Sequence, residues 1–495
     1  MSLRLLNLGM TVALSCLSAL AEPTLKLPAL FTDHMVFQRG RRIQVWGLAK
    51  PGTIVQVGMD GLVVGTLVNG NGEWSTELDT LVAGGPYELQ VVAGDTITLH
   101  DIMVGEVWLG VGAINVGGPS KKPGRGSNPL VRVLTVSEKK NDSMSSVAHS
   151  SGWQESDSLG IGDCPPEAWS FASELQRRLG VPIGLIACMS EDDTIGSWSP
   201  SLTRGRSDDT TKTKMTGLHQ PKLGPRLAWG REVPGTLFRQ LIEPLIPFRI
   251  RGVIWDESKG TVFREEGRLT AMSSLIDDWS ARWFCGDLPC LVLHRLPGDL
   301  HIQNEVNWHI VDETQELFSG APRIAATVVV ATMVGRGKRF SQAEEEGHRL
   351  ALLARKRIYR EHVEDTGPTF RSMMVSNGSA VVRFNHADGG LQSFPGSQVR
   401  GFMIAGEDRV FFPADASILS GTIIVSSLDV PRPVAVRYGW EPDSFASLCS
   451  REILPAVPFR TDRWNDAKIG KPHAKELFIK KLRYGARRSK TGKRD

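Results

Sequence analysis

Apolar and polar residues alternate in short runs through the first hundred positions. Residues 42–47, 54–57 and 87–92 follow a period of two, the mark of half-buried strands. Turn residues punctuate them: Lys50-Pro51-Gly52 precedes the second run, and Asn69-Gly70-Asn71-Gly72 leads into Glu73-Trp74 as a hairpin signal. Short strands with turn residues at such close spacing predict a small β-sandwich over 22–104.

The pattern changes after Val104. Residues 183–187, 251–255, 291–293 and 325–330 are nearly continuous apolar runs, as strands buried on both faces require. Between them lie helical periods. Residues 165–179 read as a helix stopped by Gly180, with Pro182 beyond it. Leu269, Met272, Leu275, Ile276, Trp279 and Trp283 recur at helical spacing, and 344–359 form a last long helix. Alternating helices and strands over 105–366 predict a parallel sheet flanked by helices, so the fold class is α/β. The polar stretches 120–128 and 199–231 read as loops or inserts. Strands return over 367–465, most clearly at 380–384, 399–404, 422–427 and 434–438, giving a second β-rich domain.

Composition adds three points. A hydrophobic content of 41% suits a globular chain with a sizeable core. The net charge of +4 hides an asymmetry: the last thirty residues, 466–495, hold 11 Lys/Arg against 3 Asp/Glu, so the rest of the chain is slightly acidic. With Leu477, Phe478, Ile479 and Leu482 among its cations, this tail reads either as an amphipathic helix for an anionic surface or as a solvated end. Residues 1–21 resemble an export signal, with Arg4, an apolar stretch and Ala19-Leu20-Ala21 before Glu22, which predicts a secreted or periplasmic protein. The six cysteines match no zinc spacing; Cys285 and Cys290 are close enough in sequence to pair, and buried free thiols are the alternative. No later stretch is long and apolar enough for a membrane span. The chain has no G-x-S-x-G elbow, H-E-x-x-H, Walker loop or dinucleotide fingerprint, and no cofactor, metal or specific nucleic-acid recognition is implied.

Residues 105–116, Gly-Glu-Val-Trp-Leu-Gly-Val-Gly-Ala-Ile-Asn-Val, form a buried strand running into a glycine turn. This block resembles the G-E-V-W-L-C-S-G-Q-S-N-M block of the sialate O-acetylesterase family of SGNH-type carbohydrate esterases. The likeness runs from the opening motif at 27–39 to the closing motif at 454–462. It implies an SGNH-hydrolase-like sheet between two β-rich domains, and a carbohydrate ester as the family's substrate.

The resemblance also locates the family's catalytic positions, and this chain departs from each. The nucleophilic serine is Ile114 and the preceding glutamine is Ala113. Isoleucine has neither a proton to give up nor a lone pair to attack with. The oxyanion glycine pair is Glu191-Asp192, whose charge opposes an oxyanion. The polar cluster after the third strand becomes Asp256-Glu257-Ser258-Lys259; as strand neighbours, Asp256 and Glu257 point to opposite faces. The acid and base before the last helix fall at Gly337 and Arg339. His294 is expected in a core or rim setting, and His348 on a solvated helix surface. The sequence therefore implies a pseudoenzyme: no catalytic residues, a cleft open to a glycan, and tryptophans beside it. Two alternatives stand beside that reading, an active esterase with relocated residues and a binding protein that works through its basic tail.

Overall fold

The computed structural model describes residues 25–113, 128–137, 149–156, 164–190, 195–200, 235–256, 268–284, 286–295, 301–302, 305–306, 324–329, 342–394, 396, 398–439, 446–464 and 467–470. The chain opens with six strands, β1 (Val36–Gln38), β2 (Ile43–Leu48), β3 (Ile54–Met59), β4 (Leu62–Leu67), β5 (Glu73–Leu78) and β6 (Gly84–Ala93). β3 pairs antiparallel with β4 and β6, and β2 pairs with β5. Alternation decides which side chains go inward: Ile43 and Val45 of β2, Val55 and Val57 of β3, and Trp74 and Leu78 of β5 are buried.

The middle of the chain forms β7 (Asp95–Ala113), β8 (Asn128–Ser137), β9 (His149–Ser156), α1 (Pro166–Leu179), β10 (Ile183–Ser190), α2 (Ile195–Trp198), β11 (Gly252–Asp256), α3 (Arg268–Arg282), β12 (Cys290–Arg295), the short β13 (His301–Ile302) and β14 (Glu305–Val306), β15 (Ile324–Val329) and α4 (Gln342–Arg357). The sheet order is β15-β12-β11-β7-β10-β8-β9. β15 through β8 are mutually parallel, and β9 runs antiparallel to β8 at the edge.

β7 joins the two parts. Its first half pairs with β6 and β1; from Glu106 onward it pairs with β10, and from Trp108 also with β11. The chain thus passes from the N-terminal strands into the parallel sheet along one unbroken strand. Two cores explain the apolar runs. Val107, Leu109 and Val111 face a core that takes in the N-terminal strands and the Met272, Leu275, Ile276 and Trp279 face of α3. Trp108 points the other way, with Phe171 of α1 and Leu350 and Leu353 of α4. Gly180 ends α1 with φ +66°, and its N–H donates to the Gln176 carbonyl.

The amino ends of these strands are locked by charge. Glu106 is 1% exposed. It accepts from Arg39 Nε at 2.5 Å and Gln38 Nε2 at 3.1 Å, and Arg251 Nε is 3.2 Å away as an ion-pair partner. Gln38 Oε1 in turn accepts the Val107 N–H at 2.8 Å.

The C-terminal part is β16 (Thr369–Ser376), β17 (Ser379–Asn385), β18 (Leu391–Ser393), β19 (Phe402–Ala405), β20 (Val410–Pro413), β21 (Asp415–Leu419), β22 (Thr422–Ser426), β23 (Ala435–Tyr438), β24 (Leu448–Ser450), β25 (Phe459–Arg460) and β26 (Lys468–Ile469). Its main sheets are β16-β17-β22-β21 and β25-β23-β19-β20-β26, around a core containing Phe402, Tyr438 and Phe459.

The strand expected at 399–404 starts only at Phe402. Gly401 turns the chain at φ +94°, and a Cβ there would come within 2.8 Å of Ala446 Cα. The basic tail is also different at its start: Lys468 and Ile469 pair with Val410 and Phe411 as a strand rather than opening a helix. The remainder, 471–495, lies outside the described residues, as do 1–24 with the expected export signal. Cys164, Cys188, Cys290 and Cys449 are buried free thiols. Cys290 is therefore unbridged, and the pairing with Cys285 that the spacing allowed is not made.

Candidate active-site crevice

The carboxyl ends of the parallel strands define one place. Ser190 of β10 pairs with Ala113, Gly112 with Asp256 of β11, and Asp256 with Leu293 of β12. His294 and Arg295 then run on to pair with Val328 and Val329 of β15. β8 and β10 lie on one side of β7 and β11 on the other, so the connections diverge at β7. Such a reversal leaves a crevice beyond the strand ends, where open α/β sheets place their ligands.

Gly112 makes the close approach. Its φ is +128°, and a Cβ would run into the Asp256 carbonyl oxygen. Only glycine allows both, so the close pairing of the end of β7 with β11 depends on it. Behind the strand ends, Trp198 of α2 meets Trp255 of β11 edge-on at 6.1 Å, and Trp279 Nε1 donates to the Trp198 carbonyl at 3.3 Å. Gly252 lets β11 begin against Trp108 and Pro289, with a Cβ only 2.8 Å from the indole.

The expected catalytic positions all follow strand ends. Ile114 is the residue after β7, Glu191-Asp192 follow β10, and Gly337 and Arg339 fall between β15 and α4; these lie outside the described residues. Asp256 closes β11 and is 9% exposed, while Glu257 is outside the described residues. His294 belongs to β12, but its side chain is outside them too.

His348 is corrected: it is not simply solvated. Its Nδ1 stands 2.8 Å from Glu174 Oε2, across the α1–α4 packing, and it is half-buried. Sequence reasoning missed this because the partner is 174 residues away on another helix.

Cys188, two residues before Ser190 at the end of β10, is a buried thiol near the crevice. It pairs with Val111, and its Sγ donates to the Leu241 carbonyl at 3.7 Å. Burial pushes its thiol well above the usual range. The thiolate is the reactive form, so this sulfur cannot stand in for a serine.

Among the described residues, one group has metal-ligand spacing: His34, Asp101 and Glu155. A guanidinium already fills its centre. Arg132 Nη1 lies 2.6 Å from Asp101 Oδ2, 2.9 Å from Glu155 Oε1 and 3.1 Å from His34 Nδ1. With Arg132 in place these groups do not suit a cation. Arg132 pairs with Gly184 near the start of β10, so the cluster is at the opposite end of the sheet from the crevice. Sequence reasoning overlooked it because His34 and Asp101 both adopt positive φ, +68° and +56°, which only the fold makes visible.

No family model matches the chain. Proteins with assigned functions do resemble it. Mouse sialate O-acetylesterase is 25% identical over 301 residues, which span 51% of this chain and 56% of that protein. The human sialate O-acetylesterase is 26% identical over 265 residues, or 48% and 49% of the two chains. A solved structure, a carbohydrate acetylesterase from Xanthomonas citri, superposes with a TM-score of 0.72 at 28% identity, covering 89% of this chain and all of that one. The chain is a relative of the sialate O-acetylesterase family. It spans about half the length of these sialate O-acetylesterases. This sialate O-acetylesterase relative has the parallel SGNH-type sheet with β-rich parts before and after it, as residues 105–116 implied. Among its described residues no helix is long and apolar enough to cross a membrane.

Proposed function

We propose that this sialate O-acetylesterase relative has lost ester hydrolysis and keeps its crevice as a binding site for a carbohydrate. One observation carries the reading. Gly112 ends β7 with a positive φ, packed against the Asp256 backbone as only glycine can be, yet the residue one step past Ala113 is Ile114, where the family's nucleophile would stand. The neighbouring positions agree: Glu191-Asp192 replace the oxyanion glycines, and Gly337 and Arg339 replace the acid and base. Removing one oxyanion donor alone costs about 10²–10³ in rate, and loss of a triad member leaves about 10³–10⁴ over water from binding and the oxyanion hole. With both contributions missing, no substantial turnover remains. The Xanthomonas citri protein supports the carbohydrate as ligand class, because it is a carbohydrate acetylesterase. The leader-like residues 1–21 support export, and with it an extracellular or periplasmic site of action.

The test is hydrolysis of an aryl acetate and of O-acetylated sialic acid by the purified chain and by Ile114→Ser. Both should stay at the buffer rate, because a serine alone restores neither base nor oxyanion hole. Turnover clearly above buffer in the unaltered chain overturns the reading. Turnover in Ile114→Ser overturns the assignment of the other positions.

A further inference from the structure

A second concavity lies far from the crevice. β2 and β5 turn Gln44, Trp46 and Leu48, and Glu73 and Ser75, away from the core, with Trp46 opposite Ser75 and Leu48 opposite Glu73. Ile246 and Pro247, in the segment that enters β11 at its amino end, form another wall. The groove, open to solvent along one side, measures about 780 Å³, within the range of sites that hold small organic ligands. The crevice lies beyond the carboxyl end of β11, whereas Ile246 and Pro247 precede its amino end, so the two sites are separate.

The lining is amphipathic in a particular way. The partly exposed Trp46 indole is braced from behind by Phe31, edge-on at 4.8 Å. Around it the side chains of Lys26, Gln44, Thr66 and Ser75 have no hydrogen-bond or ion-pair partner among the described residues. Lys26 and Glu73 offset one another, so the groove carries no net charge. We propose that this groove binds a neutral pyranoside oligosaccharide. A pyranose has an apolar face that packs flat on an indole and a rim of hydroxyls that both donate and accept, which matches an amide, two hydroxyls and an ammonium around one ring. A peptide strand fits less well: where β2 borders the groove, Leu48 already exchanges both backbone hydrogen bonds with Lys26. A hydrocarbon would leave the polar rim unmatched, and an anionic polymer finds no excess of positive charge.

Affinity electrophoresis of the full chain through native gels containing soluble cellulose derivative, xylan, mannan or polygalacturonate tests it. At least one neutral polymer should retard the protein. Trp46→Ala, which removes the stacking face, and Ser75→Trp, which fills the groove, should each weaken retardation about tenfold or more. Gln44→Ala, at an outward-facing position, should weaken it less while leaving the circular dichroism spectrum unchanged, and so guards against a folding artefact. Retardation by none of the neutral polymers, by polygalacturonate alone, or undiminished in all three variants overturns the proposal. The hydrolysis assay does not bear on it, so the two readings fail separately.

Discussion

Glu106→Ala should destabilise the chain by about 3 kcal/mol without touching any group at the crevice. Glu106 is 1% exposed and draws together three elements: Gln38 and Arg39 at β1, its own strand β7, and Arg251 before β11. Breaking a buried ion pair by removing one partner typically costs about 3–5 kcal/mol, because the other charge is left uncompensated. Here the lower end applies. The Arg39 and Arg251 side chains are 30% and 35% exposed, so water recovers part of their charge. Arg251 also keeps its stacking on the Tyr359 ring, 5.2 Å from the centroid. Gln38 keeps its bond to the Arg39 carbonyl and still accepts from Val107.

Urea unfolding followed by tryptophan fluorescence and by circular dichroism measures the loss. With a slope of about 3 kcal/mol per molar for a chain this large, the midpoint should fall by about 1 M. Glu106→Gln keeps the shape and two acceptor lone pairs but no charge, and should lose roughly half as much. A Glu106→Ala shift below about 0.3 M, at unchanged slope, refutes the claim that this carboxylate clamps the strands. It would leave Glu106 free to be explained by something other than folding.

Asp101 makes an acid-limb prediction. Burial pushes its carboxyl up, but hydrogen bonds from Arg132 and His34, together with their charges, outweigh burial and hold it below the usual carboxylate value. Its ionised form therefore stabilises the fold above the unfolded value of about 3.9, and that contribution disappears as pH falls through the lower folded value. Asp101→Asn should flatten the loss of thermal stability below about pH 4; an acid limb identical to that of the unaltered chain counts against it. Cys188 and Cys290 are both fully buried with thiols raised by burial, so iodoacetamide mapping by mass spectrometry should find them unmodified in the native chain and alkylated after unfolding. Modification at the native stage contradicts the assigned burial. Asp462→Ala should cost about 3–5 kcal/mol in the C-terminal part, because Arg437, 4% exposed, gives it two hydrogen bonds at 2.6 and 2.8 Å; a midpoint unchanged in urea contradicts this.

What could be read from the sequence depended on whether the cause was local. Residues 183–187 and 252–255 are apolar at every position because each strand faces a core on both sides, and that pattern survives without knowledge of the neighbours. α1 was legible because its stop is one residue, Gly180. The length of β7 was not, because a strand that changes neighbours midway keeps its backbone. Its pattern shifts from alternation to continuous apolarity at Val104, and this reads as two elements. The His348–Glu174 pair, the Arg132 cluster and the groove beside Trp46 were invisible for another reason: each joins segments separated by scores of residues. The same contrast bears on the proposed loss of hydrolysis from a chain with an esterase-like fold. Gly112, Gly252 and Glu106 act inside strands or at their amino ends, where a change disturbs packing and buried charge. Ile114, Glu191-Asp192, Gly337 and Arg339 come after strand ends, where folding asks little of the side chain. On the proposed reading, substitution there would remove chemistry and spare the sheet, so stability measurements and hydrolysis assays should respond to separate sets of residues.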